Sequence, residues 1–310
     1  MREAEVLSRI RAIFEAGSND SAVIVGNGDD GAVLALENQT VLSTDMAVEG
    51  IHFRREWSSA TDIGRKITAA NLADICAMGG WPTYLVVSVA FPSDFLESLE
   101  DLASGIALEA RKVGAKVVGG DLSRGEKLVI SITALGTTER SIRRSSAKVG
   151  EYVVISHLPG LSAAGLSLLK NGNNHESAEA IKAIAQHRAP EVDYSRYRDS
   201  FEFLSSATDI SDGLIVDVSH IANSSAVAID IDSAACEKDQ QFEVLTKAIS
   251  SKERALEFVL SGGEDHVLLA TTSSPEKCRG FIVIGRVIPG QGVFVDGERQ
   301  ESESGYQHSW

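Results

Sequence analysis

Positive charge, cysteine and long apolar runs are all in short supply in this 310-residue chain, and each shortage excludes a class of function. Lys and Arg number 29 against 44 Asp and Glu, a formal net charge of −15. Nucleic acid and anionic membranes need a basic face, so neither is the expected partner. An anionic small molecule stays open if metal cations accompany it. The three cysteines, Cys76, Cys236 and Cys278, stand far apart with no C-x-x-C pairing. They read as reduced, packed thiols of a cytoplasmic protein. The opening Met1-Arg-Glu-Ala-Glu5 is too acidic for the n-region of a signal peptide, and no apolar h-region follows. The longest apolar stretches, such as "YLVV" with "VAF" just beyond, cannot span a bilayer.

What is present is ordinary for a globular protein: 43% hydrophobic and 24% charged residues, in a length that suits two domains. Helical spacing of Val6, Ile10, Ile13 and Phe14 predicts a helix over 3–16. Short β-like runs "SAVIV", "AVLAL" and "QTVLSTD" follow, then a nearly all-apolar helix over 61–78, a strand "TYLVVSVAF", a helix from Asp94 to near Gly114, and strands "KVVGGD" and "LVISITALGTT". The basic, polar segment from Glu139 to Lys148 reads as the junction, giving domains 1–138 and 139–310. Beyond it, "EYVVIS" opens a second α/β unit. A turn enters a helix, further helices lie near 177–188 and 196–204, and "ATDISDGL" is a loop. A helix to about Ala222, the strand "AVAIDID", helices to Leu260 and strands "HVLLATT", "FIVIGRVI" and "GVFVDG" close the chain. Both halves mix strands and helices without a short-period repeat, so the expected class is α/β (α+β) in two domains.

The stretch "VGNGDDGAVL" carries Gly26, Gly28 and Gly31 in the G-x-G-x-x-G order of a dinucleotide site, and Asp45 lies 19 residues past Gly26. Strand-like sequence follows Gly31 where a helix must start, so no helix N-terminus is available for a pyrophosphate. Asp29 and Asp30 would also repel it. A solvated turn is the plain alternative. The chain has no G-x-x-x-x-G-K-[ST] and no kinase-type catalytic loop either.

Further acids recur at element ends beside Gly, Ser or Thr. Asp45 ends "TVLSTD" beside Ser43 and Thr44; Asp121 follows "KVVGG"; Asp209 and Asp212 frame "TDISDGL" around Ser211; Glu264 and Asp265 follow "LSGG". Asp74 shares a helical stripe with Ile63, Ile67, Asn71 and Met78, where a lone carboxylate costs several kcal/mol unless paired or metal-bound. Plain alternatives exist: a salt bridge from Asp74 to Arg65 or Lys66, and an N-cap role for Asp212 at a helix starting near Gly213. An oxygen-only series suits hard Mg²⁺ rather than zinc, and aspartates can approach a triphosphate through Mg²⁺ ions.

Ten collinear blocks, "GDDGAVL", "STDMAVEGIHF", "AANLADICAMGGWP", "GGDLSRG", "RSSAKVGE", "GLSAAGL", "TDISDGL", "SGGEDHVLL", "IGRV" and "GYQHSW", resemble the thiamine-monophosphate kinase family. That family shares a superfamily with aminoimidazole ribonucleotide synthetase, selenophosphate synthetase and a hydrogenase-maturation protein. The resemblance implies ATP-dependent phosphorylation of thiamine monophosphate to thiamine diphosphate by direct in-line transfer, with ATP as co-substrate and several Mg²⁺ ions. It implies an N-terminal α/β domain that contributes strands to a barrel in a homodimer, and a C-terminal α/β domain of related layout that completes the nucleotide and substrate site. Carried over by residue, Asp30, Ser43, Thr44, Asp45, Asp74, Asp121, Asp209 and Asp212 would be Mg²⁺ ligands, with Asp30 and Asp209 the most directly tied to catalysis. Gly120, Asp121, Arg144 and Ser211 would contact ATP; His52, Glu264 and Tyr306 would contact the substrate. Without that context His52 is a packed or surface histidine, Arg144 a linker charge and Tyr306 part of a frayed tail. Asp29 has no matched role beyond turn geometry or support of Asp30. The chain departs from the pattern at Leu122-Ser123, where two threonines are usual, at His266-Val267 in place of Tyr-Glu, and at Leu161 before Ser162. A sister ATP-dependent synthetase and a non-catalytic nucleotide or thiamine-phosphate binder are the competing classes. Selenophosphate synthetase would need a reactive Cys or Sec near the N-terminus, and no cysteine precedes Cys76.

Overall fold

The computed structural model describes residues 9–10, 12–14, 21–25, 33–36, 38–172 and 176–300. It divides into one unit of Met1–Cys76 with Gly80–Arg140 and another of Ala77–Gly79 with Ser141–Trp310. The parts of the N-terminal helix within the described residues, 9–10 and 12–14, are helical.

In the first unit, β1 (Val23–Val25) and β2 (Val33–Leu34) pair antiparallel, so strands and not a helix flank the glycine-rich stretch. Its loop, 26–32, lies outside the described residues. Then come β3 (Gln39–Val48), α1 (Ala60–Ala77) and β4 (Trp81–Phe91). A 3₁₀ turn (Ser93–Ser98) leads into α2 (Leu99–Arg111), where the sequence predicts one continuous helix. The Leu99 N–H donates to the Leu96 carbonyl, the tighter bonding common at helix N-termini. β5 (Lys116–Arg124) and β6 (Val129–Thr138) complete a four-stranded sheet of order β3-β6-β4-β5. Only β4 and β5 run parallel.

Period-2 alternation decides which face of this sheet is covered. Along β6, Ile130, Ile132 and Ala134 are fully buried, whereas Val129, Ser131, Thr133, Leu135 and Thr137 on the other face are only partly so. On β3 the second face carries Leu42 and Met46, which are 65% and 58% exposed. The helices cross closely because glycine stands at the crossing: a Cβ on Gly105 of α2 would run into the Thr61 carbonyl of α1, and one on Gly64 into the Leu102 carbonyl.

The second unit holds β7 (Tyr152–Ile155), α3 (Leu161–Asn171), α4 (Ala178–Arg188), α5 (Tyr194–Ser200), β8 (Ser206–Ile210), α6 (Leu214–Ser225), β9 (Ala228–Ile231), α7 (Ser233–Glu237), α8 (Gln240–Ile249), α9 (Lys252–Ser261), β10 (Val267–Thr272), β11 (Ile282–Ile288), β12 (Gly292–Val295) and β13 (Glu298–Gln300). Their sheet runs β13-β12-β9-β11-β7-β10-β8. β8 corrects the sequence reading of a loop at "ATDISDGL". All five of its residues are buried, so the alternation that marks a half-buried strand is missing from its sequence. β10 is buried along its whole length for the same reason.

The three cysteines are free thiols and buried; burial pushes the Cys236 thiol up to about 12. No helix among the described residues is long and apolar enough to cross a membrane.

The glycine crossing gives a direct expectation. Gly105→Ala will lower unfolding free energy by about 2–3 kcal/mol in urea denaturation followed by circular dichroism, because backbone stands where the methyl group must go. An exposed control in the same helix, Asp101→Ala, will stay within about 0.5 kcal/mol of the parent.

Candidate active site

The first unit gathers its oxygen donors along β3 and α1. Asp74, in the last turns of α1, accepts a 2.6 Å hydrogen bond at Oδ2 from Ser43 Oγ of β3. Ser43 and Asp45 are two apart and so project to the same, helix-covered side of the sheet. Thr44 projects to the other side, where its hydroxyl donates to the Ile132 carbonyl (3.1 Å) and lies 3.1 Å from Thr133 Oγ1. His52 sits in the turn after β3. Its Nδ1 accepts the Val48 N–H at 3.0 Å, so the proton of the neutral ring is on Nε2. Glu49 steadies that turn by accepting from Leu128 N (3.0 Å) and Arg55 Nε (2.7 Å).

Gly120 and Asp121 lie on β5, at the opposite edge of the sheet from β3. A Cβ at Gly120 would collide with the Val87 carbonyl, so glycine is what lets β5 lie this close to β4. The register aligns Gly120 with Val87 and Ile132, and Ile132 with Asp45; Asp121 aligns with Ser88, Ser131 and Met46. Asp45 and Asp121 therefore project from opposite faces, three strand spacings or about 14 Å apart along the sheet. The structure brings Ser43 and Asp74 together and keeps Asp121 away from both.

In the second unit the donors collect where β8 and β10 meet. Arg144, in a 3₁₀ turn (Arg144–Ser146), is not a loose linker charge: its Nε donates to Thr208 Oγ1 at 3.0 Å, and its carbonyl accepts from Ser206 Oγ (3.0 Å) and Ser225 Oγ (2.7 Å). This ties it to the strand that carries Asp209. Beyond the ends of both strands, Glu264 N donates to the Ser211 carbonyl (2.9 Å) and His266 N to the Ile210 carbonyl (3.1 Å). Glu264 and His266 both adopt positive φ, 63° and 51°, to make this turn. The loop 211–213 and the segment 262–266 thus lie side by side, which groups Asp209, Ser211, Asp212 and Glu264. Asp30, Asp29 and Tyr306 lie outside the described residues.

Four further residues shape this region: Asp265, one of the acids the sequence places after "LSGG", His266, there only a departure from the family pattern, and Asp217 and His187, not singled out in the sequence. Asp217 Oδ2 accepts from the backbone N–H groups of Ser211 (3.0 Å), Asp212 (3.1 Å) and Gly213 (3.2 Å). Asp217 thus takes the capping role at α6 that the sequence left open to Asp212. Its place in the first turn of α6 was the available signal. Burial raises the Asp217 carboxyl above its ordinary range. Asp265 accepts from Gly160 N (2.6 Å) and Ser162 N (3.0 Å) at the start of α3; burial raises it to about 6 despite those two bonds. His187 Nδ1 is 3.2 Å from Ser162 Oγ and 3.7 Å from Glu264 Oε2. His266 Nδ1 is 3.2 Å from Asp209 Oδ2.

Among the described residues, no group of three or more His, Cys, Asp or Glu side chains could hold a metal ion by itself. The donors brought together, carboxylates and hydroxyls, are all hard oxygens in ones and twos. They fit Mg²⁺, which keeps several waters and completes its shell with substrate phosphates.

Residues 28–138 match the AIR synthase related protein N-terminal domain, and residues 148–298 match its C-terminal domain. The chain is 38% identical over 294 residues to a thiamine-monophosphate kinase of Mycobacterium tuberculosis, covering 93% of this chain and 86% of that one. A solved thiamine-monophosphate kinase from Stenotrophomonas maltophilia superposes with a TM-score of 0.84 at 29% identity, covering 97% and 98% of the two chains. The structure of AaThiL complexed with AMPPCP and TMP gives 0.82 at 31% identity, covering 100% and 99%.

Asp265 makes stability depend on pH in a defined window. Below its ordinary value of 3.8 it is neutral in both states; between 3.8 and about 6 the unfolded chain ionises while the folded one resists. Its contribution is therefore fully present below 3.8 and lost as pH rises through about 6. The difference in unfolding free energy between the parent and Asp265→Asn, measured by denaturation across that range, will fall by a few kcal/mol and then level off.

Proposed function

The chain belongs to the AIR synthase related family and, within it, to the thiamine-monophosphate kinases; from this we infer that it transfers the γ-phosphoryl group of ATP to thiamine monophosphate, yielding ADP and thiamine diphosphate. The observation that carries the reading is the match, end to end, with AaThiL complexed with AMPPCP and TMP. The attacking atom is an oxygen of the substrate's phosphate monoester. With a second pKa of about 6 it is mostly a dianion near neutrality, so no strong general base is required. The barrier lies in bringing two anions together in line, which is a matter of charge neutralisation and positioning.

The roles of individual residues follow from that need. Asp30, Ser43, Thr44, Asp45, Asp74, Asp121, Asp209 and Asp212 would hold several Mg²⁺ ions, whose charge would neutralise both phosphate groups. Gly120 lets the β5 backbone approach ATP closely, Arg144 offers a fixed guanidinium, and Ser211 presents an oxygen beside Asp209. His52 donates from Nε2 to the substrate; Glu264 and Tyr306 contact it as well. The ordered Ser43–Asp74 bond and the anchoring of Arg144 by Thr208 support this assignment. A selenophosphate-type chemistry is not favoured, since Cys76 is fully buried and burial pushes its thiol far up.

A homodimer accounts for two features of the first unit. Leu42 and Met46 form an exposed apolar face on an otherwise well-packed sheet. Thr44 on β3 and Asp121 on β5 project from the same, uncovered face at opposite edges of the sheet, with Asp45 next to Thr44 on its edge strand, so a second copy that sets its β5 against this β3 would bring the β3 donors beside Asp121. The cytoplasm, where ATP and Mg²⁺ are at hand, is the compartment that fits the reaction.

Mixing the protein with ATP, Mg²⁺ and thiamine monophosphate will yield ADP and thiamine diphosphate in equal amounts by mass spectrometry. Asp209→Asn will lower kcat by about 10²–10³ with the circular dichroism spectrum unchanged, the loss expected when one electrostatic contact to the transferring group goes. Hydrolysis of ATP without diphosphate formation would overturn the reading. For the dimer, inactive Asp45→Asn and Asp121→Asn proteins, mixed and allowed to exchange subunits, will regain roughly a quarter of parental activity, because half the dimers then hold one intact site. No recovery with proven exchange would mean that each copy builds its site alone.

A further inference from the structure

His266 Nδ1 lies 3.2 Å from Asp209 Oδ2, closer than His220 Nδ1 to Asp217 Oδ1 (3.6 Å) or His187 Nδ1 to Glu264 Oε2 (3.7 Å). Asp217 spreads its charge over three backbone N–H groups and Asp265 over two. The carboxylate of Asp209, a residue only 3% exposed, bonds among the described residues to the His266 imidazole. An ionised carboxylate accepts only, so Nδ1 carries the proton and donates it to Oδ2. The His266 backbone is held at both its N–H and its carbonyl, and the group that holds the carbonyl is itself anchored. His266 N bonds to the Ile210 carbonyl, its carbonyl accepts a 2.6 Å bond from Tyr197 Oη, and the fully buried Tyr197 hydroxyl accepts in turn from Leu268 N at 3.0 Å. A non-glycine residue at φ 51° is an uncommon conformation, maintained here by those bonds.

We propose that His266 is a positioning residue for Asp209: its Nδ1–H fixes the carboxylate through Oδ2 and leaves Oδ1 as the oxygen offered to a hard divalent cation. Metal-bound carboxylates are commonly oriented by such a hydrogen bond, and its loss typically costs 10–100-fold in metal affinity. The inference rests on the reading of Asp209 as a cation ligand.

Mn²⁺ serves as the probe, its binding to the full-length protein followed by electron paramagnetic resonance with AMPPCP present. His266→Gly suits φ 51° and removes the imidazole; His266→Asn tolerates that φ and keeps an N–H donor near the Nδ1 position. We expect the Mn²⁺ dissociation constant to rise about tenfold in H266G and to stay within about threefold of the parent in H266N. Asp209→Asn will weaken binding at least as much, and H266G added to it will weaken binding no further. Unchanged Mn²⁺ binding in D209N would overturn the reading of Asp209 itself; weakened binding in D209N with parental binding in H266G would overturn the role of His266 alone. Should H266G fail to fold, ¹⁵N shifts of the His266 ring in the parent decide the matter: a proton on Nδ1 is expected, and a proton on Nε2 alone would refute the proposal.

Discussion

Carboxylates buried against backbone N–H groups are the constraint on which the second unit depends. Asp217 closes the turn that follows β8, and Asp265 ties the segment before β10 to the start of α3. Each satisfies several donors that would otherwise be orphaned at a helix start. Each also carries a desolvation cost, visible in the upward shift of both acids. The turn 211–213 and the segment 262–266 are thereby fixed to rigid elements rather than left to sample conformations. Glycine completes the arrangement: a Cβ at Gly263 would collide with the Ser211 carbonyl, and Gly213 adopts φ 123° hard against Ser261.

This scaffold explains how a chain of net charge −15 can handle two phosphorylated molecules. Acids that serve the fold are neutralised locally by backbone donors. On the proposed reading, acids such as Asp74, which meets the Ser43 hydroxyl, and Asp209, which meets the His266 imidazole, are compensated instead by cations. Selectivity for hard cations would then come from the donor chemistry, with substrate phosphates completing the shell. In the first unit the same economy appears at the level of the strand order, which sets β3 and β5 apart.

The sequence discloses these two kinds of acid unevenly. The helical stripe through Ile63, Ile67 and Asn71 singles out Asp74, and Ser43 stands beside Asp45 at a strand end, so both signals are local. The expected mixture of strands and helices is present in both halves, as is the close tie of "TDISDGL" to "SGGEDHVLL" that no local pattern foretells. The strand at Ser206–Ile210 escaped notice because a strand buried on both faces has no period to read. The imidazole on Asp209 and the capture of Gly160 N by Asp265 join residues 57 and 105 positions apart. Such pairings exist only after the sheet has formed. Asp217 was the readable exception, an acid in the first turn of a helix.

The order β13-β12-β9-β11-β7-β10-β8 has a consequence for synthesis on the ribosome. β7 is the first strand of the second sheet to emerge, yet it pairs only with β10 and β11, among the last. About 110 residues separate the end of β7 from the start of β10, which is roughly 5–20 s at ordinary rates of elongation. During that interval "YVVI", destined for the centre of the sheet, has neither neighbour. The nascent chain is thus most vulnerable to aggregation late in translation, and a chaperone that shields an apolar tetrapeptide near residue 153 would do more for yield than one acting on the finished chain.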